Sequence, residues 1–335
     1  MGTQQRIAWA DMAKGYGILA IMVSHVFTGH PVSQWLFTFH VPLFFFLSGF
    51  LFREGKPLGS FLKGKVRRML VPYFALALPI IPAEAAMSGP RAGFWDRTLE
   101  LAVQVLIQKR LWPIWFLACL FLLEIIGYFL IRFIKNDRLL ALAAAALGAL
   151  GVAYAQRGGE VLLWNLDACF SVLPFFMAGY LLKKWDGKMD AILTGWKSWA
   201  LFALLAVGNL AFGLKSIRGE VPVLNVFANQ YGLPLRSYLS AFCGIGAVVL
   251  AAKRMTIAPI SYLGRNSLVY FVWHQTPVIT AIYYFFPRLG IPMEHYPSGA
   301  AMLAEKGLEL FLILTVLTIL NELLLHSKLK WVLGK

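Results

Sequence analysis

Charge is what this chain has least of. Of its 335 residues only 14% are Asp, Glu, Lys or Arg, against about a quarter in an ordinary soluble domain. Hydrophobic residues make up 59% and the mean hydropathy is +0.68. That balance excludes an ordinary cytosolic enzyme, a disordered chain and a collagen-like one. Acidic residues are scarcer than basic ones, 16 against 31, which leaves a net charge of +15. In a soluble protein such an excess points to nucleic acid. Here the bases cluster between apolar runs, the pattern of cytoplasmic membrane loops, so no nucleic-acid partner is expected. Cysteine is nearly absent. Cys119, Cys169 and Cys243 each lie inside an apolar run, and no C-x-x-C occurs. Neither a disulfide framework nor a metal site is expected from them. No internal repeat, linker or pair of interrupted helices is visible, so the chain reads as one domain over 1–335.

What is present is a series of long apolar runs, and the lipid bilayer is their natural solvent. The runs predict an all-α, polytopic membrane bundle of ten spans, at roughly 12–29, 35–53, 68–86, 113–134, 138–155, 166–183, 196–214, 236–252, 267–286 and 308–326. The first run begins with Asp11 and Lys14 and has no clear small-residue cleavage site, so it reads as a permanent helix. The stretch 91–111 is amphipathic and suits the membrane interface. With the N-terminus inside, 21 of the 31 Lys and Arg fall on the inner side and 10 on the outer. That bias gives N-in, C-in.

Titratable residues inside such runs cost free energy and by default mark function. On the first helix, Lys14, Ile18 and His25 fall within about 60° of Asp11 on one stripe. Asp11 and Lys14 also suit an interfacial anchor. His25 stands about 21 Å beyond Asp11, toward the outer face. The second run enters from outside and carries His40 at a matching depth, so two imidazoles face a common level on neighbouring helices. Histidine is suited to act as a base near neutral pH. Ser48-Gly49 reads chiefly as a small pair for close helix contact, since no G-x-S-x-G surrounds the serine. Lys63, Lys65, Arg67 and Arg68 form the densest basic cluster. Positive-inside topology explains the charge. The three-residue spacing of Lys65 and Arg68 places both on one helical face, where they suit a phosphate-bearing ligand. Glu124 and His274 both fall near mid-membrane and could pair. Asn266 or Ser267 could cap the start of the ninth span, whose positive end with Arg265 would welcome an anion.

Several of these residues stand in a familiar arrangement. Asp11-Met12-Ala13-Lys14-Gly15-Tyr16-Gly17-Ile18 through Ser24-His25, and Phe39-His40-Val41-Pro42-Leu43-Phe44-Phe45-Phe46-Leu47-Ser48-Gly49, resemble the first two helices of membrane-bound acyltransferase family 3. The fucose 4-O-acetylase-like branch is the nearest in pattern. Lys65-Val66-Arg67-Arg68 with Pro72-Tyr73, Trp115-Phe116-Leu117, and Leu263-Gly264-Arg265-Asn266-Ser267 through His274 match as well. The resemblance covers helices 1–4 and 9, and helices 5–8 mainly by hydropathy. It implies transfer of an acyl group, usually acetyl, from cytosolic acyl-CoA to a hydroxyl of an extracytoplasmic or lipid-linked carbohydrate, at the cell (inner) membrane. It implies His25 as the catalytic histidine, with His40 orienting it or binding the acceptor. Lys65 and Arg68, with Arg265, would stand on the acyl-CoA side. The family's basic pair often has two arginines. Lysine at 65 keeps the charge and gives up the bidentate fork.

The expected activity is therefore an O-acyltransferase with His25 and His40 as catalytic residues. Lys65, Arg68 and Arg265 would bind the donor, and Asp11, Lys14, Ser48, Trp115, Glu124 and His274 would line or support a channel. Acyl-CoA is a co-substrate and no tightly bound cofactor is expected. Acceptor choice is expected in the outer loops around 87–112, 215–235 and 287–307. A transporter exporting a glycan or small amphiphile, or a structural subunit of a polysaccharide synthase, would use the same polar residues differently.

Overall fold

A computed structural model describes residues 7–88, 93–290 and 299–334. Parts of two of the loops expected to choose the acceptor, 89–92 and 291–298, lie outside the described residues. Among the described residues the secondary structure is helical, with a single isolated bridge between Asn225 and Gln230. That is what a bilayer demands, since a helix satisfies its own backbone hydrogen bonds.

In chain order, α1 (Ala8–Val26) is followed by α2 (Pro31–Phe37) and α3 (His40–Leu51). Next come α4 (Leu58–Lys65), a π-turn at Val66–Leu70, α5 (Val71–Ala77) and α6 (Ile80–Met87). The amphipathic α7 (Phe94–Ile107) precedes α8 (Trp115–Phe133), α9 (Asp137–Gln156) and α10 (Leu166–Lys183). Then follow α11 (Asp186–Ile192), α12 (Trp196–Ile217) and α13 (Pro234–Arg254). The chain continues through α14 (Ala258–Arg265), α15 (Ser267–Trp273), a second π-turn at His274–Ile279 and α16 (Thr280–Phe285), and closes with α17 (Ala300–His326) and a short 3₁₀ turn.

Among the described residues eight helical runs are long and apolar enough to cross a membrane. They correspond to eight of the ten expected spans. The expected first span is occupied by α1, 19 residues long, with Asp11 in its first turn. The expected ninth is divided among α15, the π-turn and α16, with α14 just before it. The third run is continuous over Leu58–Met87, so it begins about ten residues earlier than hydropathy indicates. Its extra turns carry the basic cluster, which hydropathy scores as loop.

The chain divides into two compact units. The first holds residues 1–55, 123–160 and 167–267. Its centre is α1, which is buried on nearly every side and packs against α2, α3, α13 and α14. Glycine sets the closest of these approaches. A Cβ on Gly264 of α14 would stand 1.7 Å from the Asp11 carbonyl, and one on Gly15 of α1 would stand 2.1 Å from the Ile260 carbonyl. Backbones meet there, and no side chain fits. The same device joins α3 to α10, where Gly49 faces the Phe176 carbonyl and Gly179 the Phe46 carbonyl. In contrast α12 leaves Leu204, Val207 and Leu210 exposed, as a lipid-facing helix does.

The second unit holds residues 56–122, 161–166 and 268–335. In it the π-turn at His274–Ile279 packs against α6 and α17. Trp273 Nε1 donates to the Leu76 carbonyl at 3.0 Å, and the Tyr270 and Thr318 hydroxyls share a 2.8 Å hydrogen bond.

Candidate active site

The first unit holds the two histidines. His25 lies in the last turn of α1 and is half-buried. His40 opens α3 and is buried. The short helix α2 turns the chain between them. Pro31 presets its first turn, and the His30 ring caps it by accepting from Val32 N at 3.2 Å. Ser33 Oγ ties the corner back to α1 by donating to the Ser24 carbonyl at 2.7 Å. The result brings both imidazoles onto one benzene ring. The Phe37 centroid lies 6.1 Å from that of His25 and 4.7 Å from that of His40, edge-on to each at 75° and 87°.

The His40 tautomer follows from its partner. Nδ1 lies 2.7 Å from the Leu36 carbonyl, and a carbonyl only accepts. Nδ1 therefore carries the proton in the neutral ring, and Nε2 keeps its lone pair. An imidazole fixed in this way is prepared to accept a hydrogen bond or a proton at Nε2.

Glu124 also belongs to this unit. It is buried on α8, where Ser48 Oγ of α3 donates to its Oε1 at 2.6 Å. Ser48 thus serves a carboxylate while Gly49 beside it makes the close contact with α10. Asp11 is buried and Lys14 half-buried on α1. The main chain of Asp11 packs on Gly264, next to Arg265.

The structure adds a short helix ahead of the expected start of the ninth span. Arg265 stands in the last turn of α14 and not at the start of the ninth span. Asn266 follows as the C-cap, and its Nδ2 donates back to the Tyr262 carbonyl at 3.1 Å. Arg265 thus sits at the negative end of α14, two residues before Ser267, where α15 opens the ninth span with its own positive end. Ala258-Pro259 begins that short helix, with Pro259 in its first turn.

The second unit carries the basic pair, Trp115 and His274. Lys65 closes α4 and Arg68 lies within the π-turn that follows. A π-turn holds more residues per turn than an α-helix, so their three-residue spacing no longer gives simple α-helical alignment. Lys65 still feels the charges of Arg68 and Lys56, and its ammonium stands 5.5 Å over the Phe61 ring. The backbone of Arg67 and Arg68 packs on Gly334 of the C-terminal turn. Trp115 is buried at the start of α8, and its carbonyl accepts from Asn165 Nδ2 at 3.3 Å. His274 opens the other π-turn, with Nδ1 within 2.8 Å of the Phe271 carbonyl and 3.1 Å of the Tyr270 carbonyl. Its Nε2 keeps the lone pair, as in His40. Glu124 belongs to the first unit and His274 to the second. π-turns inside α-helices recur at functional sites, and both of those here contain a residue chosen from sequence on chemical grounds.

Some features of these units escape sequence reading. Gln108, Arg110 and Trp112 have φ of 46°, 59° and 45°, the left-handed region, with no glycine among them. Trp164 and Asn165 share this conformation at 56° and 58°. The two stretches hold each other. Asn165 Oδ1 accepts from Arg110 N at 3.0 Å, Trp164 Nε1 donates to the Leu106 carbonyl at 3.0 Å, and Gln108 bridges the Tyr73 hydroxyl and Leu111 N, both at 2.7 Å. Trp112 Nε1 donates to Glu84, whose other oxygen takes Arg97 at 3.1 Å. Backbone in this state persists only where surroundings over-determine it. In the same unit Lys306 and Glu309 form a buried 3.0 Å ion pair on α17, and the Tyr283 hydroxyl accepts from Lys306 at 3.1 Å.

Among the described residues no three of His, Cys, Asp or Glu gather as a metal site. The family model described as an acyltransferase domain (Acyl_transf_3) matches residues 7–326, through both units, and the chain belongs to this acyltransferase family. It is similar to nodulation protein NolL of Mesorhizobium japonicum, with 24% identity over 220 residues, 62% of this chain and 55% of that protein. The chain thus spans about half the length of the curated relative it matches. No solved structure matches it. Family and fold together define an acyltransferase, one that moves groups other than aminoacyl groups, built as a polytopic helical membrane protein.

Proposed function

We propose that the protein is an integral O-acetyltransferase of the inner cell membrane, in the fucose 4-O-acetylase-like branch. Its ten spans run N-in, C-in as a single domain, and α1 and the divided ninth segment complete the eight long helical runs. Acyl-CoA arrives from the cytosol as co-substrate, and no tightly bound cofactor takes part. Lys65, Arg68 and Arg265 hold the phosphate-bearing donor. Asp11, Lys14, Ser48, Trp115, Glu124 and His274 line or support the path of its acyl arm.

His25 acts as general base. It takes the proton from a hydroxyl of an extracytoplasmic or lipid-linked glycan as that oxygen attacks the thioester carbonyl. The new C–O bond forms, the C–S bond breaks, and the imidazolium returns its proton to the departing CoA thiolate. His40 offers Nε2 to orient His25 or the acceptor hydroxyl. The observation that carries this reading is the convergence of His25 and His40 on Phe37, with the Leu36 carbonyl fixing the His40 tautomer. Hydrogen bonding between the two stretches 106–110 and 164–165 favours the topology, since both would then lie at the outer face.

The test is CoA release from acetyl-CoA by purified protein in nanodiscs, with and without candidate glycans. Acceptor-dependent release should fall by about a hundred- to ten-thousandfold in His25→Ala. Wild-type release from a folded His25→Ala protein would sink the mechanism. Glycan movement across proteoliposomes without acyl-CoA would instead favour a transporter.

A further inference from the structure

Asn209 lies midway along α12 and is buried, although that helix is largely turned outward. The orientation of its carboxamide is settled by Trp35, whose indole N–H only donates and stands 2.8 Å from Oδ1. Nδ2 then donates to Thr38 Oγ1 at 3.0 Å and to the Ser240 carbonyl and hydroxyl at 2.9 and 3.0 Å. Ser240 Oγ donates back to the Asn209 carbonyl at 2.8 Å. The Thr38 hydroxyl in turn donates to the Trp35 carbonyl at 2.7 Å. One amide thus grips two residues, Trp35 and Thr38, and fastens them to α12 and α13.

The residues between those two grips are Leu36 and Phe37. Leu36 supplies the carbonyl that fixes the His40 ring, and Phe37 is the ring on which His25 and His40 converge. We infer that Asn209 is a positioning residue for the histidine pair: it clamps the turn that sets the tautomer of one imidazole and the packing of both. Within a bilayer no water replaces a lost partner, so the clamp cannot be exchanged for solvent. The inference rests on the reading of His25 and His40 as the reacting groups. An asparagine serving only as packing glue between helices would need satisfied hydrogen bonds. It would not need them on both sides of the residues that touch the imidazoles.

The test compares wild type, Asn209→Leu, Trp35→Phe, Thr38→Val, His25→Ala and His40→Ala in nanodiscs. Acetyl-CoA turnover is one readout, and ¹⁵N-histidine NMR of the His40 Nδ1–H is the other. Asn209→Leu should lower kcat about ten- to a hundredfold with the donor KM unchanged, and should lose the His40 Nδ1–H signal. Trp35→Phe and Thr38→Val each remove one grip while keeping the packing, and should move both readouts the same way. A wild-type kcat and an intact His40 signal in folded Asn209→Leu and Thr38→Val would overturn the inference. If His25→Ala and His40→Ala retain turnover, the parent reading fails instead. The His40 signal then still decides whether Asn209 holds that ring.

Discussion

The two units solve one problem by different means. Each must hold polar groups in a chain that is mostly hydrocarbon. The first does so with regular helices brought into backbone contact by glycine, and several of its buried polar groups lean on a neighbouring helix: His40 on Leu36, Glu124 on Ser48, Asn209 on Trp35 and Thr38. The second does so by breaking helical regularity. Its basic pair and His274 sit in or beside π-turns, and its loop after α7 adopts left-handed backbone without glycine. Regular packing gives a rigid, desolvated frame suited to fixing proton-transferring groups. Irregular backbone re-aims side chains and exposes main-chain groups, which suits binding a flexible ligand.

That contrast can be broken at its strongest point first. Gly264→Ala places a methyl group against the Asp11 carbonyl and should destabilise the protein by about 3 kcal/mol. Gly59→Ala in the second unit, with open space around it, should leave the unfolding midpoint unchanged or slightly raised. Equal effects in thermal unfolding would remove glycine contact as the organising device of the first unit. The Lys65→Gln, Arg68→Gln double variant should raise the acyl-CoA KM about a hundredfold with little change in kcat. A fall in kcat alone would move donor binding away from the π-turn. Asn165→Ala removes the acceptor of the Arg110 N–H and should cost about 2 kcal/mol, read as a lower midpoint and faster proteolysis near 108–112. Ser48→Ala should cost least, about 0.6 kcal/mol, the ordinary worth of one interhelical hydrogen bond in a membrane. A larger loss would show that Glu124 depends on it for more than packing.

Much of this is legible in the sequence. Counting residues from the helix ends puts His25 and His40 at one level, and the structure has both against Phe37. Hydropathy locates the long helical runs to within a few residues, except where charge or glycine dilutes it. It misses the first ten residues of Leu58–Met87 for that reason. It also misses α14, whose eight residues alternate too briefly between apolar and polar to stand out. The π-turns leave no hydropathy signal, because they change hydrogen-bond register and not composition. Asn209 and Phe37 escape for a different reason. A single neutral amide or one more phenylalanine in an apolar run carries no charge to mark it, and its role depends on what lies 171 residues away in the chain. Residues such as Trp112 and Arg110 give no hint of left-handed backbone, which a reader assigns to glycine or asparagine.

The union of the 106–110 loop with Trp164 and Asn165 has a consequence for how the protein is made. The Arg110 amide waits for a side chain 55 residues further along. A ribosome delivering the chain from its N-terminus must therefore produce α8, α9 and the turn that ends at Asn165 before that loop can be locked. Until then the loop is held on one side only, by Tyr73 and Glu84. Assembly of the second unit is thus timed by the synthesis of a segment that interrupts the first. A chain arrested after α9 should present the loop after α7 still open to protease, and one extended through Asn165 should not.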